Sequence, residues 1–130
     1  MVTKDQGKAR ELLLRAAKQG YPDAQHALGH MYLHGWGGAK DASEGARWVK
    51  EVAEQGNVEA QVLLAALFLT GEGVKKDETA AYMWLSVEGS RGDADTKRLR
   101  DILSRHMSSE QIANAEKLAK EWKPKRSTQP

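Results

Sequence analysis

The sequence contains no cysteine. That excludes a disulfide framework, a thiol nucleophile and a cysteine-based zinc site, and it fits an oxidising or a reducing compartment equally. Long apolar runs are missing too. Nothing approaches the roughly 20 residues of a membrane span, and the opening MVTKDQGKAR has no hydrophobic signal core. Neither sign of charge is in excess: 20 Lys and Arg against 18 Asp and Glu give a formal net charge of +2, too little to argue for nucleic acid. No strand-like alternation is present. No carboxylate pair stands apart from the capping and surface set, and Ser104 near His106 has neither an elbow glycine nor an evident acidic partner. The expectation is therefore no enzyme and no cofactor. What is present, 130 residues that are 40% hydrophobic and 29% charged, suits one soluble domain or a short repeat array.

The chain repeats itself. A shift of 36 residues superimposes Asp5, Asp41 and Asp77, and likewise Gly20, Gly56 and Gly92. It also pairs Gln19 with Gln55, Ala24 with Ala60, Gln25 with Gln61, Leu28 with Leu64, Tyr32 with Phe68, Gly35 with Gly71, Gly37 with Gly73 and Trp48 with Trp84. A fixed period of this size marks a solenoid whose units bury their faces only against neighbours.

Each unit reads as a helical hairpin. Asp41 and Asp77 stand at N-cap positions, Asp41 with Glu44 in capping-box spacing. Helix A follows over about 42–55, with Ala46, Val49, Val52 and Ala53 on one stripe and Trp48 beside it. Gly56 ends it, Asn57 caps helix B over about 58–70, and Gly71-Glu72-Gly73 reverses the chain. In the first unit Pro22 takes the favoured first position of helix B. Alanines at 17, 24, 53 and 60, with Gly29 or Ala65 one turn on, let the two helices cross closely. The fold class is all-α, an α-solenoid of antiparallel helix pairs. It divides into repeat 1 (1–37), repeat 2 (38–73), a divergent repeat 3 (74–107) and a capping helix (108–123), followed by a disordered basic tail (124–130). In the divergent part the apolar stripe is Leu99, Ile102, Leu103 and His106. The capping helix opens on Ser108 and Gln111 and presents Ile112, Ala115, Leu118 and Trp122.

The pattern A..W, A..QG...AQ..L, Y..G.GV..D, written here as ARWVKEVAEQGNVEAQVLLAALFLTGEGVKKD, resembles the Sel-one-like repeat, a relative of the tetratricopeptide repeat. The resemblance covers residues 1 to about 92. It implies a right-handed superhelix and a role in protein–protein scaffolding rather than catalysis. Some members carry a disulfide within each helix pair; this chain has only helix packing. Many bacterial members are exported, so the resemblance leaves a periplasmic location open for a longer parent. Leu12 stands where Trp48 and Trp84 stand later, and Gly38 where Val74 stands. Because MVTKD is in register with GVKKD, the chain reads as the C-terminal piece of a longer repeat protein. Its first helix would then expose Ala9, Leu12, Leu13 and Ala16, an edge suited to pairing with a second copy.

Two surfaces are candidates for function. The helix A face away from the core carries Glu11, Leu14, Arg15 and Lys18, then Arg47, Lys50, Glu51 and Glu54, then Met83, Ser86 and Val87. Its side chains vary between units while the core stripe stays apolar, as a concave partner-binding face would; a merely solvated face would look the same. Met83 and Val87 are either covered by the C-terminal helices or form an apolar end to a groove. The second candidate is His26, His30 and His34, spaced i, i+4, i+8, the alternative being a metal-binding or metal-sensing module. No HExxH accompanies them, and their equivalents Val62, Ala66 and Thr70 have no ligand character. Trp48 and Trp84 are expected to act as spacers between units, not as a stacking site for a ligand.

Overall fold

Side-chain caps set the phase of the chain. The carboxylate of Asp41 accepts from the Glu44 amide (3.1 Å), Asp77 from Ala80 (3.0 Å), Asp93 from Thr96 (3.3 Å), and the Asn57 side-chain oxygen from Ala60 (2.8 Å). Each satisfies one of the orphan amides of a helix's first turn. Ser108 and Gln111 form the full reciprocal box, whereas Glu44 turns instead to Arg47. The computed structural model describes residues 4–87 and 92–125. Among these lie seven helices: α1 (Lys4–Lys18), α2 (Pro22–His34), α3 (Ala42–Glu54), α4 (Val58–Thr70), α5 (Glu78–Ser86), α6 (Ala94–Ser104) and α7 (Ser109–Glu121). Helices α1, α3 and α5 are the A helices of successive units; α2 and α4 are B helices.

The connectors repeat atom for atom. Gly35 and Gly71 adopt φ of 74° and 75° at the ends of α2 and α4, a left-handed conformation that glycine enters without strain. The N–H of Asp41 then bonds the carbonyl of Tyr32, and that of Asp77 the carbonyl of Phe68, both at 2.9 Å. The aromatic position of each unit thus anchors the cap of the next. Buried Gln25 donates to Ala17 O (3.0 Å) and buried Gln61 to Ala53 O (3.2 Å), tying helix B to the A helix before it. Gln55 Nε2 reaches Gln25 Oε1 (2.8 Å) and so joins the first unit to the second.

The extensive contacts run α1–α2, α2–α3, α3–α4 and α4–α5, with α5 finally covered by α6 and α7, the nearest-neighbour packing of an all-α helical-repeat solenoid. Leu28, Leu64 and Leu85 have no exposed surface, and each such burial stabilises by about 1.5–3 kcal/mol. Trp48 packs with Ala17, Ala24 and Leu28 of the preceding unit, and Trp84 lies in the core built on α3 and α4. Trp48 Nε1 has no partner among the described residues; its indole serves as apolar bulk between units, as the sequence suggests.

The C-terminal part departs from the reading of the sequence in three places. Helix α5 stops at Ser86, where α3 continues to the equivalent of residue 90. Ser86 Oγ bonds back to Tyr82 O (2.7 Å), and Arg100 Nη1 donates to the Leu85 carbonyl (2.8 Å). Of the expected stripe on α6 only Leu103 is buried, with Thr96 buried beside it; Leu99 is half-buried, Ile102 is exposed, and exposed His106 meets Glu78 at 3.1 Å. The α7 stripe is Ile112, Ala115, Ala119 and Trp122, with Leu118 turned to solvent. Two alanines at the contact bring α7 close to α5, and that shifts the buried face one residue beyond Leu118. Pro124 and Lys125 are held against the end of α3; Arg126 to Pro130 lie outside the described residues.

Candidate functional site

The residues expected on the A-helix surface separate by helix. On α1, Glu11 and Arg15 form an exposed i, i+4 pair at 3.3 Å. Lys18 is exposed, and Leu14 is half-buried against Ala17, Ala24, Leu28 and Trp48. On α3, Arg47 is exposed, pairs with Glu44, and lays its guanidinium over the Trp48 ring, 4.7 Å from the centroid. That pairing raises the Arg47 pKa, chiefly through the hydrogen bond to Glu44. Lys50 is exposed and has no partner among the described residues. Glu51 and Glu54, both half-buried, close the helix.

The third unit corrects the expectation. Ser86 and Val87 are buried and Met83 is half-buried against the core, so these three do not extend the charged surface. Helices α6 and α7 pack on α5, and Ser86 lines the cleft between α5 and α7. At that end Tyr82 Oη donates to Glu116 Oε1 (3.1 Å), Trp84 meets Trp122 edge-on at 5.8 Å between centroids, and a cleft of about 610 Å³ opens between α5 and α7. The sequence reading missed the return of the chain to α3: the Lys125 N–H donates to Glu54 O and Lys125 Nζ reaches Glu51 at 2.9 Å. No sequence signal singles it out, since the last turns of α4, α5 and α6 lack a basic residue as that of α3 does.

The histidines form a row. His26 and His30 approach through their Nε2 atoms at 3.1 Å, one donating to the other's lone pair. His30 stacks on His34 at 5.9 Å, and His34 on exposed Trp36 at 4.6 Å. Stacking thus continues the row from His30 through His34 to Trp36. Among the described residues no group of three or more His, Cys, Asp or Glu side chains is arranged to hold a metal ion, so the three imidazoles do not converge as a ligand set. His26 and His30 line a small apolar groove with Val62 and Leu63 of α4, and Glu59 at its rim. Burial lowers the His30 pKa, and the neighbouring His26 and His34 lower it further.

On α1, Leu12 is 55% exposed and Ala9 is exposed, while Leu13 and Ala16 are half-buried against the first unit's core. No helix among the described residues is long and apolar enough to cross a membrane.

Comparison with known proteins gives a consistent picture. A family model described as the Sel1 repeat matches residues 1–21, 22–57 and 58–86. The second and third matched units pair a B helix with the A helix after it, a different phase of the same 36-residue period, and the first holds α1 alone. No curated protein matches the chain. Among solved structures, a protective antigen of uropathogenic Escherichia coli displaying an SLR fold is 33% identical. It superimposes with a TM-score of 0.79 over 89% of this chain and 25% of its own. A Sel1 repeat protein from Oxalobacter formigenes is 27% identical, with a TM-score of 0.69 over 77% of this chain and 41% of its own. The chain thus spans a quarter of the one and about two fifths of the other.

Proposed function

The chain belongs to the Sel1 repeat family, whose members generally act in protein–protein interaction, and from that premise we propose that it is a scaffold binding a protein or peptide partner along the exposed faces of its A helices. One observation carries the reading. Helices α1 and α3 expose charged side chains on the A-helix surface, Glu11, Arg15 and Lys18 on the first and Arg47 and Lys50 on the second, with Glu11 and Arg47 one 36-residue period apart; α3 buries its opposite face and α1 buries Ala17. Such a row is preformed. Its backbone does not reorganise on binding, so affinity depends on the side chains it displays. Charge there acts mainly on encounter rate and partner choice.

The test is an affinity pull-down from the native organism's lysate with the wild type beside Arg47→Glu/Lys50→Glu, helicity being checked by circular dichroism. A partner retained by the wild type and lost from the folded variant is the expected result. Identical retained sets from the two baits would remove the A-helix face from the binding surface.

A further inference from the structure

The last turn of α3 holds Glu51 and Glu54 and no basic residue. The unpaired carbonyls at a helix C-terminus carry partial negative charge, which favours cations over carboxylates. Helix α1 conforms, with Arg15 and Lys18 in its last turn; α3 inverts the preference. A segment some 70 residues later completes this end. The Lys125 N–H donates to the Glu54 carbonyl at 2.6 Å, and its ammonium lies 2.9 Å from Glu51. The Pro124 ring passes so close to the α3–α4 turn that a Cβ on Gly56 would sit 3.5 Å from it. Ring, amide and ammonium of an extended segment therefore each meet one feature of the helix end. Beside these contacts, Trp122 and Pro124 wall the cleft of about 610 Å³, with Tyr82, Ser86, Arg100, Glu116 and Lys120 around it; the negative charge of the site comes from the end of α3 and from Glu116.

We propose that the acidic end of α3, together with this cleft, is a docking site for an extended basic segment of a partner protein. The chain's own residues 122–125 are its resident occupant, displaced when the partner binds. The inference rests on the A-helix reading above and names the ligand chemistry for one end of that surface. What the resident supplies is generic. One backbone N–H caps a carbonyl, the preceding proline has no N–H to leave unpaired, and one ammonium meets both oxygens of the Glu51 carboxylate. Any extended segment with a lysine or arginine after a proline reproduces it. The resident is also exchangeable. Its ion pair is half-exposed, and such pairs are weak and screened by salt. The hydrogen bond to Glu51, followed by the charges of Glu51 and Glu54, raises the Lys125 pKa, so the ammonium stays charged throughout the neutral range. Because the resident is tethered, its high effective concentration weakens every competing peptide.

The test uses the full chain throughout, with a fluorescein-labelled peptide of residues 121–130, EWKPKRSTQP, as the probe and anisotropy as the readout. The wild type is expected to bind it weakly. Lys125→Glu, whose tail is repelled by Glu51, is expected to bind about tenfold tighter or better, the occupant no longer competing. Glu51→Lys/Lys125→Glu restores the internal pair with exchanged charges and repels the probe, so binding falls back. Equal affinity of the wild type and Lys125→Glu, absence of binding by both, or undiminished binding by the double variant each overturns the proposal. A wild type that dimerises by exchanging tails, seen as a doubled mass in light scattering, overturns the assignment to a partner protein. The Arg47/Lys50 pull-down does not involve the tail: a partner lost there with no peptide bound here leaves the A-helix reading standing and removes only the occupant.

Discussion

His30 is the residue whose titration the structure marks out. It is half-buried beside His26, His34 and Glu59. Its pKa lies below the ordinary 6.5, first through burial and then through its two histidine neighbours. The unfolded chain therefore binds the proton more readily than the folded one. The stability this group permits is complete above the unfolded value and declines as pH falls through and below about 6.5. Thermal melts from pH 7.5 to 5.5 are expected to show a falling midpoint, with a shallower fall in His30→Gln. Equal slopes in the two proteins would detach His30 from the acid response. The spacing of the histidines was visible in the sequence, but their outcome was not. A helical repeat fixes which side chains are neighbours, whereas the stacking of His34 on Trp36 depends on how the α2 connector folds back.

At the scale of the helix, most of the structure was legible because the signals are local. An N-cap bonds an amide three residues ahead and a left-handed glycine acts on its own turn, so the bounds of α2, α3 and α4 follow from Pro22, Asp41, Asn57, Gly35 and Gly71. Asp77→Ala tests this. It removes the acceptor for the Ala80 amide at the head of α5, and the expected loss is about 1 kcal/mol in urea unfolding. A loss near zero would mean that water replaces the carboxylate without cost. Legibility ended where one helix's exposed face depended on another's arrival. The early stop of α5 and the exposure of Ile102 and Leu118 come from α6 and α7 folding back onto α5. Periodicity within any one helix does not encode that. Ser86 and Val87, expected on the surface, are buried.

Over the whole molecule, α7 closes the core that α5 would otherwise leave open, through Ala115, Ala119 and the edge contact of Trp122 with Trp84. Trp122→Ala is expected to cost about 2 kcal/mol, less than the roughly 3–5 kcal/mol of a fully buried aromatic because Trp122 is half-buried. Hydrogen exchange offers the sharper reading, since nearest-neighbour packing lets one end open by itself. Amides of α5 and α7 are expected to lose protection while those of α2 and α3 keep theirs. Uniform loss would show that the units melt as one. The tie from Lys125 to α3 has a mechanical side as well. The extensive contacts elsewhere join layers that lie next to one another, and such a stack resists compression better than it resists shear. A bond that leaves α7 and lands on α3 spans several layers at once, as a diagonal brace does in a frame. Sliding of the units past one another would have to break that link, whereas lifting its foot from Glu51 and Glu54 leaves the helix packing as it is.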